Sequence, residues 1–285
     1  MTPVIDAHQH FWQIARGDYG WLTPSLAPLY RDFGPDDLRP LLAESGITHT
    51  VLVQAAPTVA ETRFMLEIAR TNSFVSGVVG WVDMEAEDGP AQIAALQKAG
   101  PLCGIRPMIH DIADPQWMLR PRLDGAFRAI IDADLTFDAL VRPVHLPPLL
   151  TLRERYPALR LVIDHGAKPD IAAWTPGDKD FASWSRQMTA LARTPNTFCK
   201  MSGLVTEAAR DWRPEQLIPY LDALLEAFTP HRLLWGSDWP VVNLAGGYAA
   251  WRSAALAWLS KLPSGDRAAI LGGTATRAYH LRLAP

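Results

Sequence analysis

Along the chain, short apolar runs rich in β-branched residues alternate with longer stretches whose apolar residues recur three or four positions apart. The short runs are VIDAH (4–8), TVLVQ (50–54), SGVVGWV (76–82), CGIRP (103–107), LTFDALV (135–141), LRLVIDH (159–165), TFCKMS (197–202) and LLWGSD (233–238). Near-continuous apolarity of this kind marks strands buried on both faces, as in a parallel sheet. Between them, ETRFMLEIARTN (61–72), RLDGAFRAIIDAD (122–134) and EQLIPYLDALLEAF (215–228) carry helical spacing. Eight strands alternating with helices close naturally into a (β/α)8 TIM barrel, an α/β fold predicted here as one domain over residues 1–285. A doubly wound sheet competes, but no glycine-rich phosphate loop follows the first strand.

Two stretches break the repeat. Residues 9–35 are long, aromatic and rich in Gly and Pro, and residues 166–180 follow the sixth strand with little helical pattern. Both leave the C-terminal ends of strands, where barrel active sites lie, so both are expected to border a site.

Composition narrows the class. Hydrophobic residues make up 48% of the 285 positions, enough for a large core. A net charge of −3 gives no reason to expect a nucleic-acid or acidic-membrane partner. No apolar run approaches a membrane span and the N-terminus lacks a basic region followed by an apolar one, which predicts a cytoplasmic protein. Cys103 and Cys199 both fall in strand-like runs and are expected to be buried free thiols. Oligomeric state leaves no mark in the pattern.

Candidate chemistry lies at the strand ends. His8 and His10, one residue apart, share a face at the end of the first strand. His165 ends the sixth strand and Asp238 the eighth. A barrel closes its eighth strand onto its first, so these four side chains are expected to converge at one mouth. Three imidazoles and one carboxylate suit a single divalent cation such as zinc.

The stretches DAHQHFW, DHGAKP and GSDWP, together with DLRPLLAESGITHTVLVQA and CGIRPMIHD, resemble the amidohydrolase superfamily over nearly the whole length. More narrowly they resemble its branch of sugar lactonases, which includes fuconolactonase and rhamnonolactonase-like enzymes. The resemblance implies that His8, His10, His165 and Asp238 surround the reacting centre. It also implies an aldonolactone substrate, such as an L-fucono- or rhamnono-lactone. Two departures from the binuclear members matter. The fourth strand ends at Arg106, which cannot bridge cations, and no histidine directly ends the fifth strand. One ion is therefore expected at most, bound but not required for activity, since the superfamily includes lactonases that work without metal.

Hydrolysis needs an activated water and a polarised carbonyl. Asp238 is the expected general base, and His165 is the second catalytic candidate. Arg106, Lys168 and His145 are expected to contact substrate oxygens, while Trp12 and Trp239, with Trp21 and Trp81 near the mouth, offer faces for a sugar ring. For His110 and Lys200 no role is assigned. Three readings stay open: a sugar-acid lactonase, a metal-dependent decarboxylase of a small aromatic acid, and a non-catalytic carbohydrate-binding barrel. The intact Asp238 speaks against the last.

Overall fold

The computed structural model describes residues 3–283. Each of the eight apolar runs forms one strand: β1 Ile5–Gln9, β2 His49–Val53, β3 Val75–Gly80, β4 Leu102–Ile105, β5 Thr136–Ala139, β6 Arg160–Ile163, β7 Thr197–Met201 and β8 Leu233–Trp235. They pair in parallel in chain order. Closure comes from the residues just past β8. The Asp238 N–H donates to His8 O at 2.8 Å, and the His10 N–H donates to Trp239 O at 2.7 Å. The structure is thus the (β/α)8 barrel expected.

Helices cover the outside: α1 Pro35–Ser45, α2 Val59–Thr71, α3 Gly89–Ala99, α4 Asp124–Asp132, α5 Leu146–Arg155, α6 Lys179–Ala192, α7 Pro214–Phe228 and α8 Gly247–Leu259. Their starts follow local chemistry. Thr58 Oγ1 accepts the Glu61 N–H at 3.0 Å, capping α2, and α7 opens with Pro214 at its first turn. Aromatic contacts weld helix to strand, as between Phe127 of α4 and Phe137 of β5, whose rings lie 5.1 Å apart. Two short helices, α9 Ser264–Ala268 and α10 Thr274–Ala278, end the described chain. Ala275 and Ala278 of α10 and the adjoining Tyr279 pack with Ile5, Val51, Val79, Val162 and Leu234. This second apolar cluster plugs the end of the barrel where the strands begin, leaving the other end for chemistry.

The 9–35 stretch is a folded cover with little regular structure. Trp12 and Phe33 exchange backbone hydrogen bonds at 3.0 Å, and Phe11, Trp12, Leu29 and Phe33 are buried beneath it. Its apolar content is what holds it down.

Gly236 sits where β8 approaches β1. A Cβ there would fall 2.7 Å from His8 Cβ and 3.0 Å from His8 N, closer than packed atoms tolerate. Gly236→Ala should therefore push the two strands apart and cost about 1–3 kcal/mol. For a chain of this size that lowers Tm by roughly 2–4 °C per kcal/mol. An unchanged Tm would mean the closure has slack that the packing does not show.

Candidate active site

His8 lies in β1, His10 just beyond it, His165 after β6 and Asp238 after β8. All four are buried, and all four converge as expected. Two of them, His165 and Asp238, have backbones held in costly shapes. His165, Gly166, Ala167 and Lys168 follow one another in the left-handed region, with φ of 53°, 57°, 63° and 51°, and Asp238 has φ of 59°. For non-glycine residues such conformations cost on the order of 1–3 kcal/mol each and persist only where surroundings enforce them. Here Trp184 Nε1 donates to Gly166 O at 2.8 Å, and the Val242 N–H donates to Asp238 O at 2.9 Å.

Asp238 Oδ1 is the hub. It lies 3.3 Å from His10 Nε2, 3.6 Å from His8 Nε2 and 3.8 Å from His165 Nε2. His8 Nε2 and His10 Nε2 are 3.2 Å apart. Donors bound tetrahedrally at about 2.0–2.1 Å stand about 3.3 Å from one another. The spacing of His8, His165 and Asp238, which each offer an atom within 4.8 Å of the others, fits one divalent ion, with His10 beside them. His10 Nδ1 lies 2.7 Å from Val53 O and His165 Nδ1 lies 2.9 Å from Ser202 Oγ, which aims each Nε2 at the hub.

Beneath the hub runs a buried charge network. Lys200 Nζ lies 2.6 Å from Asp138 Oδ2 and 2.9 Å from Asp164 Oδ1, and Arg106 Nη1 lies 3.1 Å from Asp164 Oδ2. Tyr279 donates its hydroxyl to Asp138 Oδ2 at 2.6 Å. Arg106 is further held by Gln54, whose Oε1 accepts from Nε at 2.8 Å and whose backbone carbonyl accepts from Nη2. Asp6 accepts the Ser237 N–H at 2.8 Å and the Tyr248 hydroxyl at 3.1 Å, tying β1 to the turn after β8.

Burial shapes the protonation states. It pushes the Asp138 and Asp6 carboxyls up to about 6, and it pushes the His165 imidazole down to about 4. Burial would also raise Asp238 and Asp164. For Asp238 the His165, His10 and His8 rings outweigh it, and for Asp164 Lys200 and His8 do. Both carboxyls are held below the usual carboxylate range.

A cavity of about 220 Å³ opens above the hub, walled by His10, Trp21, Arg106, His110, Lys168 and Asp238 among others. A larger hollow, about 530 Å³, lies at the opposite end near Cys103 and Tyr279 and touches none of the four converging residues.

The structure redraws the expected substrate wall. Trp12 and Trp239 do not reach the cavity. Trp12 is locked between Trp21 and Phe33 with Nε1 donating to Arg31 O at 2.8 Å, and Trp239 packs on Phe11 and Phe33. The cover draws its large apolar residues inward, and only Trp21 is left half-buried at the cavity, its Nε1 donating to Ala55 O at 2.7 Å. His145 is also absent from the wall, because its Nδ1 accepts the Arg142 N–H at 3.0 Å and shapes the entry to α5. Lys168 faces the cavity while paired with Glu207. Arg106 faces the cavity as expected and is also the ion-pair partner of Asp164. Lys200 is wholly internal. Asp138, Asp164 and Gln54 escaped the sequence reading, although each is a polar residue within or ending an apolar strand run, where a charge must find a partner.

Comparison with known proteins places this geometry. A family model described as amidohydrolase matches residues 5–281. An L-fucono-1,5-lactonase of Burkholderia ambifaria is 48% identical over 289 residues, covering 99% of this chain and 97% of that protein. An L-fucono-1,5-lactonase of Burkholderia multivorans is 37% identical over 286 residues, covering 97% and 96%. The crystal structure of an amidohydrolase from Burkholderia multivorans with bound zinc superposes with a TM-score of 0.92 at 36% identity, covering 98% of this chain and all of that one.

The two tryptophans of the cover should separate in stability. Trp12→Ala removes a fully buried side chain and should cost about 3–5 kcal/mol in urea unfolding. Trp21→Ala should cost clearly less. The reverse order would exchange their places between core and cavity wall.

Proposed function

The chain belongs to the amidohydrolase family, and from that premise we propose that it opens a sugar-acid lactone of the L-fucono-1,5-lactone type to the free acid. One observation carries the reading: Asp238, an ionised carboxylate ringed by three imidazoles, faces a cavity sized for a single small ring. Relatives matching almost the full chain carry the lactonase name, and rhamnono-lactonase appears over a shorter span. Neither the decarboxylase nor the carbohydrate-binding barrel gains a comparable observation.

In this reading Asp238 takes a proton from water as its oxygen attacks the lactone carbonyl carbon. The ring C–O bond then breaks, and the protonated Asp238 returns the proton to the departing ring oxygen, leaving carboxylic acid and hydroxyl. His165 is the second catalytic residue. With the Ser202 hydroxyl donating to Nδ1, its Nε2–H is free to hydrogen-bond the carbonyl oxygen. Arg106 lends positive potential to the same oxygen, Lys168 contacts ring hydroxyls, and Trp21 offers its face to the apolar side of the sugar. His145, Trp12 and Trp239 have no part in substrate contact.

His8, His10, His165 and Asp238 would hold one divalent ion, zinc by donor type, which when bound would polarise the carbonyl and acidify water. Activity does not depend on it, because Asp238 is ionised without it and the Arg106 and Lys200 charges stand beside the site. Residues 1–285 act as one catalytic unit, assigned to the cytoplasm in keeping with two buried free thiols. Among the described residues no helix is long and apolar enough to cross a membrane.

Asp238→Asn keeps the shape and removes the base. On L-fucono-1,5-lactone kcat should fall roughly 10²–10⁴-fold. A near-normal kcat would move the base elsewhere. Protein stripped of metal by a chelator should keep its lactonase activity, measured as acid release, whereas a loss restored by zinc alone would make the ion essential.

A further inference from the structure

Lys200 is fully buried on β7, and its hydrogen bonding does more than neutralise two carboxylates. An ammonium has three donors and no acceptor. Its Nζ lies 2.6 Å from Asp138 Oδ2, 2.9 Å from Asp164 Oδ1 and 3.1 Å from His8 Nδ1. The contacts with Asp138 Oδ2 and His8 Nδ1 are hydrogen bonds and that with Asp164 Oδ1 is an ion pair, and the bond to His8 forms only if Nδ1 carries a lone pair. Asp164 Oδ1, which would instead ask that nitrogen for a proton, stands farther off at 3.5 Å.

The far side of the His8 ring points the same way. Asp238 Oδ1, which as a carboxylate oxygen can only accept, lies 3.6 Å from His8 Nε2. A proton on His8 Nε2 turns a donor toward that oxygen, and a lone pair there would be repelled by it. Arg106 Nη1, with a second N–H beyond the one it gives Asp164 Oδ2, asks for a lone pair on His8 Nε2 from 3.3 Å, farther off than Lys200 stands from Nδ1 at 3.1 Å.

We propose that Lys200 is a positioning residue that fixes the tautomer of His8, placing the ring proton on Nε2 and making His8 a hydrogen-bond donor to the hub instead of a ready metal ligand. No group changes charge in this arrangement. A metal ion needs the Nε2 lone pair, so binding it must move the ring proton to Nδ1, against the Lys200 ammonium. Lys200 therefore weakens metal binding at the hub. It also orders the contacts from β7 through His8 to Asp238, the proton acceptor that faces the cavity. The tautomer rests on the geometry alone, and its catalytic consequence rests on the lactonase reading.

The direct test is nitrogen-15 NMR of histidine-labelled, metal-free wild-type protein, with the His8 signals identified by their loss in His8→Gln. A protonated Nε2 with an unprotonated Nδ1 is expected, and the opposite tautomer overturns the proposal. A second test combines Lys200→Met with Asp138→Asn, so that no carboxylate loses its only cation, Asp164 keeping Arg106. Zinc affinity, measured by competition with a chromophoric chelator, should rise roughly 10–100-fold, the scale on which outer partners tune a metal site. Unchanged or weaker zinc binding overturns the proposal, and if the double variant does not fold the wild-type spectrum decides alone. On L-fucono-1,5-lactone the same variant should lose kcat with KM nearly kept. A wild type inactive on every sugar lactone would defeat the lactonase reading while leaving the His8 spectrum to stand or fall separately.

Discussion

Ionised side chains inside an apolar barrel survive only in pairs, and that constraint organises this molecule. Lys200, Arg106, Asp138 and Asp164 are each buried to within 3% exposure. Removing water from such charges costs several kcal/mol per ion, offset only by close partners with good geometry. The network meets that requirement by drawing partners from five strands or their ends. The need to satisfy it fixes how those strands stand relative to one another, and so fixes where His8, His165 and Asp238 point.

The second constraint is closure. β8 is short, and the barrel shuts through the residues that follow it, with Asp238 donating its backbone N–H to His8 O and Trp239 accepting from His10. The same residues that seal the barrel carry the candidate chemistry. Left-handed backbone at Asp238 and from His165 to Lys168 is the visible cost, since each position trades local comfort for a side-chain direction. The plug formed by Tyr279 and its neighbours stabilises the far end, which frees the strand C-terminal ends to hold polar groups.

Much of this was legible in the sequence, for physical reasons. Strands buried on both faces must be apolar throughout, so VVG, LVI and LLW announce themselves, and barrel closure then brings His8, His10, His165 and Asp238 together. What escaped was the polar layer one step deeper. Asp138 in LTFDALV, Asp164 in LVIDH and Lys200 in TFCKMS interrupt apolar runs, and a charge at such a position calls for a partner that spacing alone does not identify. The aromatic wall was misplaced for a different reason. Trp239 directly follows a polar cluster and Trp12 stands just past another, but a long cover with little regular structure is stable only if its largest apolar residues turn inward, which leaves Trp21 at the cavity. His145 was drawn from the site by a local bond at a helix entry, a choice made over three residues of backbone.

The central claim is that water, activated by Asp238, attacks the carbonyl carbon of a sugar lactone. Turnover of L-fucono-1,5-lactone in oxygen-18 water, run with enzyme in excess and read by mass spectrometry of product and protein, tests it directly. The account predicts one heavy oxygen in the carboxylate of the released acid, none in the hydroxyl formed from the ring oxygen, and none in the peptide containing Asp238. Heavy oxygen in that hydroxyl or in Asp238 itself, or no conversion of the lactone, would contradict it.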